Sequence, residues 1–159
     1  MKHLFKIGGA VFLAFLLMAC ENDDDVCVQG EGTPQLKLKF RTQATGKLRT
    51  LDSLYLNVDY GNGPVKVVQK ANVDSVFIPL RVDQNSFTDF WVKETKYGDS
   101  SLIRVNYTTK SIYVSPACGM KRNYENVTYQ LLNAQPVVEL MPELNEITNE
   151  SKTHLYLLF

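Results

Sequence analysis

Apolar and charged side chains alternate strictly near the start of this sequence. Between Leu36 and Arg41 every second residue is apolar, and each residue between them is a lysine or an arginine. Successive side chains of a β-strand point to opposite faces, so a repeat of two buries one set and leaves the other in water. The pattern predicts a half-buried strand. No apolar stripe with the 3.6-residue period of a helix follows residue 20.

The same alternation recurs at intervals of about 8–12 residues, which is typical of β-sandwiches. We expect Leu102 to Tyr107 and Ile112 to Ser115 to form a hairpin that turns at Thr109-Lys110. The stretch 133–149 carries two prolines and is expected to hold a strand and a long loop. The spacing predicts an all-β fold, an antiparallel β-sandwich of about eight or nine short strands over residues 34–159. The expected strands cover residues 36–41, 54–60, 65–68, 73–80, 87–94, 102–107, 112–115, 127–132 and 154–159.

The first twenty residues are typical of a cleaved export signal. Lys2 and Lys6 precede an apolar run over residues 7–19, which is too short to span a bilayer. The run closes on Leu17-Met18-Ala19-Cys20, a pattern typical of the cleavage box of bacterial lipoproteins. We therefore expect residues 1–19 to be removed and Cys20 to carry acyl chains, which would attach the protein to a membrane. A plain secretory signal that happens to end near a cysteine is the alternative.

Residues 20–33 are expected to be a lipidated, acidic tether. Four acids follow Cys20 within five residues, namely Glu21, Asp23, Asp24 and Asp25. Such a run is solvated and spaces a domain from the membrane. It is also similar to the acidic export signals that send Bacteroidota lipoproteins to the cell surface. A Ca²⁺ site is not favoured, because the spaced ligands and distal glutamate of a calcium loop are missing.

Charge and cysteine usage bear on the compartment and the partners. Loss of residues 1–19 removes two lysines and leaves 15 basic and 17 acidic residues, a net charge of −2. This balance argues against nucleic acid as a partner. Cys27 and Cys118 remain after lipidation of Cys20, and in an oxidising compartment we expect them to form a disulfide. A redox or metal pair is the alternative, but no C-x-x-C spacing exists, and the single histidine that remains, His154, is far away in the sequence.

No arrangement of residues predicts catalysis, a metal or a cofactor. His154 is expected at a surface or strand edge, and no nucleophile elbow accompanies it. We expect the protein not to be an enzyme. Asp52-Ser53-Leu54 and Asp74-Ser75-Val76 are similar to an O-glycosylation sequon of Bacteroidota, which makes Ser53 and Ser75 candidate modification sites if they face solvent.

Six aromatic residues on predicted strands and turns are candidates for a sugar-stacking platform. Core or cross-strand packing is the commoner role of such residues. The six are Tyr55, Tyr60, Trp91, Tyr97, Tyr107 and Tyr113.

Several blocks together resemble a group of uncharacterised Bacteroidota outer-membrane lipoproteins. The first runs from Cys20 through Cys27 to Thr33-Pro34-Gln35-Leu36. The later blocks are Ile78-Pro79-Leu80, Val114-Ser115-Pro116-Ala117-Cys118-Gly119, and Asn149-Glu150 with His154. The resemblance implies an address at the outer membrane and a β fold, and no activity.

Two functions are therefore expected from the sequence. The first is a lipid-anchored, surface-exposed interaction module that contacts another envelope protein. The second is an accessory that captures glycans or other ligands through exposed aromatic side chains. An open edge strand or a flat apolar patch would favour the first, and an exposed coplanar aromatic pair would favour the second.

Overall fold

The structure is a computed structural model that describes residues 32–159. Among these residues the chain forms nine strands and no helix. The strands are β1 (Leu36–Arg41), β2 (Leu51–Asp59), β3 (Pro64–Val73), β4 (Ser75–Ile78), β5 (Phe87–Lys93), β6 (Ser101–Ser115), β7 (Gly119–Asn133), β8 (Glu139–Pro142) and β9 (Leu155–Leu158).

The strands form two sheets that pack on each other around one core. The first sheet has the order β4-β1-β9-β8, and the second has the order β3-β2-β5-β6-β7. Six of the seven strand pairs in the described part of the chain are antiparallel, and β1 and β9 are parallel, with Leu38 opposite Leu155. The predicted all-β sandwich is confirmed, and the parallel pair is an addition that the sequence pattern did not indicate.

The buried residues confirm the two strand faces that the alternation predicts. Along β1 the apolar residues are buried and the cations between them are partly exposed, and β2 and β5 repeat this pattern. The two faces therefore separate by the period of two that a strand imposes. The largest fully buried side chains of the described residues come from both sheets and from the segment before β9: Tyr124, Phe40, Phe90, Leu36, Leu38, Leu51, Leu54, Leu56, Ile78, Ile103, Ile147 and Leu155.

The predicted hairpin at Thr109-Lys110 is wrong. β6 continues without a break through this dipeptide for 15 residues, and the turn lies at 116–118 instead. Thr109 and Lys110 pair with Tyr124 and Asn123 across the ladder. The dipeptide has the polar composition of a turn, but the β-branched Thr109 suits a strand, and pairing with β7 continues β6 through both residues.

The predicted strand over 73–80 is divided between the two sheets. β3 ends at Val73 in the five-stranded sheet, and β4 begins at Ser75 in the four-stranded sheet. Asn72, just before the crossing, has a left-handed backbone with a φ of 51°, a conformation that asparagine tolerates better than most residues. The chain therefore passes from one layer to the other at Asp74.

Candidate interaction surfaces

The outer face of the five-stranded sheet carries a band of half-buried aromatic and aliphatic side chains. We call it the aromatic face and define it by Tyr55 on β2, Phe87 and Trp91 on β5, and Leu102 and Arg104 on β6. Trp91 lies opposite Leu102, and Tyr55 is its diagonal neighbour across β2 and β5. Neighbours at these positions are close enough for large side chains to touch.

An ion pair fixes one end of the aromatic face. The Arg104 guanidinium donates two hydrogen bonds to the Asp89 carboxylate, both at 2.8 Å, and lies 4.1 Å from the centre of the Phe87 ring. Hydrogen bonding to Asp89 raises the pKa of Arg104. Two-pronged pairs of this kind hold both side chains in one geometry. Phe87 is therefore held beside a positioned cation.

The six aromatic residues singled out from the sequence do not form one platform. Tyr107 is buried, and Tyr60 is half-buried and donates a hydrogen bond to the carbonyl of Pro79 at 3.2 Å. Tyr97 and Tyr113 are exposed, by 89% and 62%, near opposite ends of β6. Only Tyr55 and Trp91 share a face. In residues 32–159 the ring pairs are Phe40 with Phe159 and Tyr107 with Tyr124, so no two of the exposed rings stack on each other.

The outer face of the four-stranded sheet carries a row of cations. Lys37, Lys39 and Arg41 alternate along β1, and none of them is in an ion pair among the described residues. Arg41 lies 4.2 Å above the Tyr156 ring, and Lys37 lies 5.3 Å above the Phe77 ring. The alternation in the sequence indicated this row, but the flanking rings come from β4 and β9 and depend on the strand order.

The long hairpin of β6 and β7 extends beyond the core. Tyr113 and Met120 face each other across the two strands and are 62% and 59% exposed. Cys118 lies in the turn and is disulfide-bonded. The backbone N–H of Arg122 donates to the Thr33 hydroxyl at 3.0 Å, so the start of the described chain lies against this hairpin.

The outer edges of the five-stranded sheet differ in their protection. The backbone of Tyr124 on β7 exchanges hydrogen bonds with Ile147, and the Val127 N–H donates to the Asn145 carbonyl, so this edge is partly covered. The other edge is β3, which begins with Pro64 and exposes Lys66 and Lys70. Proline and lysine on an edge strand discourage pairing with another chain.

The prediction that His154 lies at a surface is wrong. Its side chain is buried, Nδ1 accepts a hydrogen bond from the Lys37 backbone N–H at 2.8 Å, and Nε2 lies 3.0 Å from the carbonyl oxygen of Asn149. This arrangement requires a neutral ring with its proton on Nε2. Burial lowers the pKa of His154. Both ring nitrogens are therefore engaged in linking β1 to the segment before β9.

Both candidate glycosylation sites are half-buried. The predicted alternation around Ser53 is confirmed, because Leu54 is buried and Ser53 is on the other face. The Ser53 hydroxyl donates to the carbonyl of Glu94, and the Ser75 hydroxyl donates to the Asp74 carboxylate at 3.0 Å. Glycosylation of either serine would remove the hydroxyl proton that it donates. Glycosylation at Ser53 and Ser75 stays a prediction.

The predicted lipidation and export residues lie outside the described part of the chain. These are Cys20 and the acids Glu21, Asp23, Asp24 and Asp25, together with Cys27, the predicted partner of Cys118. Over residues 32–159 no three His, Cys, Asp or Glu side chains are grouped so that they could share a metal ion. The same residues contain no helix that is long and apolar enough to cross a membrane.

The fold and these surfaces define the chain as a two-sheet β-sandwich protein. A family model described as a family of unknown function (DUF6452) matches residues 54–159, and the chain belongs to this family. The matched part includes strands β3 to β9 and most of β2. No curated protein and no solved structure matches the chain.

Proposed function

We propose that this chain is a lipid-anchored envelope protein that acts as a non-catalytic interaction module at the cell surface. The observation that carries the proposal is the aromatic face, where Tyr55, Trp91 and Phe87 lie on the outside of a sheet whose other face is core. Aromatic side chains and arginine are enriched at the centres of protein interfaces. A rigid sheet presents them with little loss of conformational entropy on binding.

The state of His154 supports a role without catalysis. A general base needs a ring nitrogen free to take a proton from a substrate. Here Nδ1 accepts from the Lys37 backbone N–H and the Nε2–H donates to the Asn149 carbonyl, and the side chain is buried. The acids Asp89 and Glu94 are likewise engaged by Arg104 and Arg49.

The alternative function is capture of glycans or other ligands. It is favoured by the neighbouring positions of Tyr55 and Trp91 on one face, because a sugar ring can stack on such side chains through its C–H groups. It is disfavoured by the separation of the remaining aromatics, since Tyr97 and Tyr113 lie near opposite ends of β6. A partner protein is therefore the first choice.

Substitution on the aromatic face tests the contact surface. Trp91→Ala together with Tyr55→Ala should abolish co-purification of a partner with the intact protein from its own outer membrane. The matched control is Tyr97→Ala, which removes an aromatic that is 89% exposed in the loop after β5. Equal recovery of partners by both variants would contradict the proposal. If the native protein binds a glycan array and the Trp91→Ala, Tyr55→Ala variant does not, the result would favour glycan capture.

Substitution of Cys20 tests the anchor. Cys20→Ala should leave an uncleaved precursor that takes up no labelled fatty acid. Continued labelling of this variant would refute lipidation at Cys20. The matched control is Cys118→Ser, which removes a different cysteine and should leave labelling unchanged.

Substitution of the acidic run tests whether the protein is displayed at the cell surface. Alanine in place of Glu21, Asp23, Asp24 and Asp25 should protect the protein from proteinase K added to whole cells, because it would no longer be exported outward. If the native and altered proteins are equally sensitive, the acids are only a spacer.

A further inference from the structure

We propose that the end of the β6–β7 hairpin, residues 109–122, docks on the phospholipid surface to which the chain is anchored. The inference rests on the proposed lipid anchor and adds a second, non-covalent contact. It orients the sandwich with this hairpin end toward the bilayer and the opposite end of β6 away from it.

The hairpin end presents apolar side chains outside the core. The last core residues of the two strands are Tyr107 and Tyr124, which pack edge to face at 4.8 Å between ring centres. Beyond them β6 continues for eight residues, about 25 Å of extended strand. Near its end the paired Tyr113 and Met120 are more than half exposed, and Pro116 and Ala117 are exposed in the turn.

The charge of the hairpin end suits an anionic surface. Residues 108–124 contain Lys110, Lys121 and Arg122 and no aspartate or glutamate. Lys110 lies 3.3 Å from Glu125, with side chains 63% and 43% exposed, and the Arg122 guanidinium donates to the Asp83 carbonyl at 2.8 Å. Lysine and arginine next to exposed aromatic and apolar side chains are the combination found in segments that lie at a membrane interface.

The start of the described chain ties this hairpin to the anchor. Thr33 is held at Arg122 by the 3.0 Å hydrogen bond. Thr33 is the thirteenth residue after Cys20, and the chain between them spans at most about 45 Å. If Cys118 is bonded to Cys27 as predicted, the bond joins the turn to the seventh residue after Cys20, and the chain between Cys20 and Cys27 spans about 25 Å at most. An acyl chain on Cys20 would therefore keep the hairpin end close to the bilayer.

The hydrogen bonding of the backbone limits how deep the hairpin end can lie in the membrane. The two strands pair with each other, as in the opposition of Tyr113 and Met120, but a two-stranded ribbon directs its other N–H and C=O groups outward, where neither strand can pair them. Such groups are not tolerated in hydrocarbon. The hairpin end should lie among the headgroups, where tyrosine is also favoured, and should not insert into the acyl chains.

The experiment uses the full-length acylated protein reconstituted on vesicles that contain brominated phospholipids. Trp91→Phe removes the single tryptophan, and Tyr113→Trp then places a fluorophore at the hairpin end. The matched control is Tyr97→Trp in the same background, at the other end of β6. We expect bromine to quench the fluorophore at 113 and not at 97. Quenching should be stronger when phosphatidylglycerol is mixed with phosphatidylcholine than with phosphatidylcholine alone.

The outcomes separate this inference from the proposed anchor. A protein that carries no acyl chain and does not sediment with vesicles overturns the anchor. An acylated protein that sediments but shows equal quenching at 113 and 97 overturns only the docking. Shielding of position 113 by a second copy or by added outer-membrane proteins, without quenching by lipid, also overturns the docking and assigns the hairpin end to a protein partner.

Discussion

A buried hydrogen-bonded cluster around Thr88 gives the sharpest test of how the sandwich is held together. The Thr88 hydroxyl is fully buried, accepts from the Arg81 backbone N–H at 3.0 Å and shares a 2.7 Å hydrogen bond with the hydroxyl of Tyr107. One side chain therefore satisfies two other polar groups. It fixes the segment after β4 against the strands β5 and β6.

Thr88→Val keeps the volume of the side chain and removes both hydrogen bonds. It leaves the Arg81 N–H and the Tyr107 hydroxyl buried without their partner, and each such group costs about 1–3 kcal/mol. We expect a loss of about 2–4 kcal/mol in the free energy of unfolding. Tyr107→Phe should cost about 1 kcal/mol, because Thr88 can still accept from Arg81.

The double variant makes the reasoning specific. With Thr88→Val already present, Tyr107→Phe removes a hydroxyl that has no partner, so it should cost little more or even restore stability. Urea unfolding followed by Trp91 fluorescence measures all four proteins, and Thr88→Ser is the matched control that keeps the hydroxyl. Additive losses, or a loss below about 0.5 kcal/mol for Thr88→Val, would refute the account.

Three further predictions concern pH, the disulfide and modification. The pKa of His154 in the folded protein lies below its unfolded value of about 6.5, so the unfolded state binds more protons as the pH falls. The free energy of unfolding should therefore decline below about pH 6.5. Urea unfolding at several pH values should show that His154→Gln lacks this part of the pH dependence. Non-reducing peptide mapping should recover Cys27 and Cys118 in one linked peptide, and alkylation of both thiols without reductant would exclude the pair. Intact-mass spectrometry of the protein from its native host should show a glycan increment that Ser53→Ala or Ser75→Ala reduces, and a mass of polypeptide plus acyl groups alone would exclude the modification.

The sequence predicted the faces of the strands better than their ends. The period of two is a local property, and it correctly divided Leu54 from Ser53 and the buried residues of β1 from the cations beside them. Strand ends depend on partners far away in the chain. Thr109 and Lys110 look like a turn on their own, yet β7 supplies Tyr124 and Asn123 to pair with them.

The candidate surfaces were predicted only in part. Tyr55 and Trp91 were singled out as aromatic strand residues, but their common face depends on β2 lying beside β5, which no local pattern contains. His154 was misplaced for the same reason. A polar residue before a strand is usually exposed, and its burial here follows from the parallel pairing of β9 with β1, which brings the Lys37 backbone to its ring.

The position of β9 bears on the order in which the protein acquires its structure. Strands β2, β3, β5, β6 and β7 pair with neighbours that are close in sequence, so their sheet can form early. The other sheet cannot close in the same way, because β9 lies between β1 and β8 and joins Leu38 to Leu155. Contacts between such distant residues form slowly. A chain synthesised from its N-terminus would therefore keep β1 incompletely paired until β9 has been made, and the sandwich would close only at that last step.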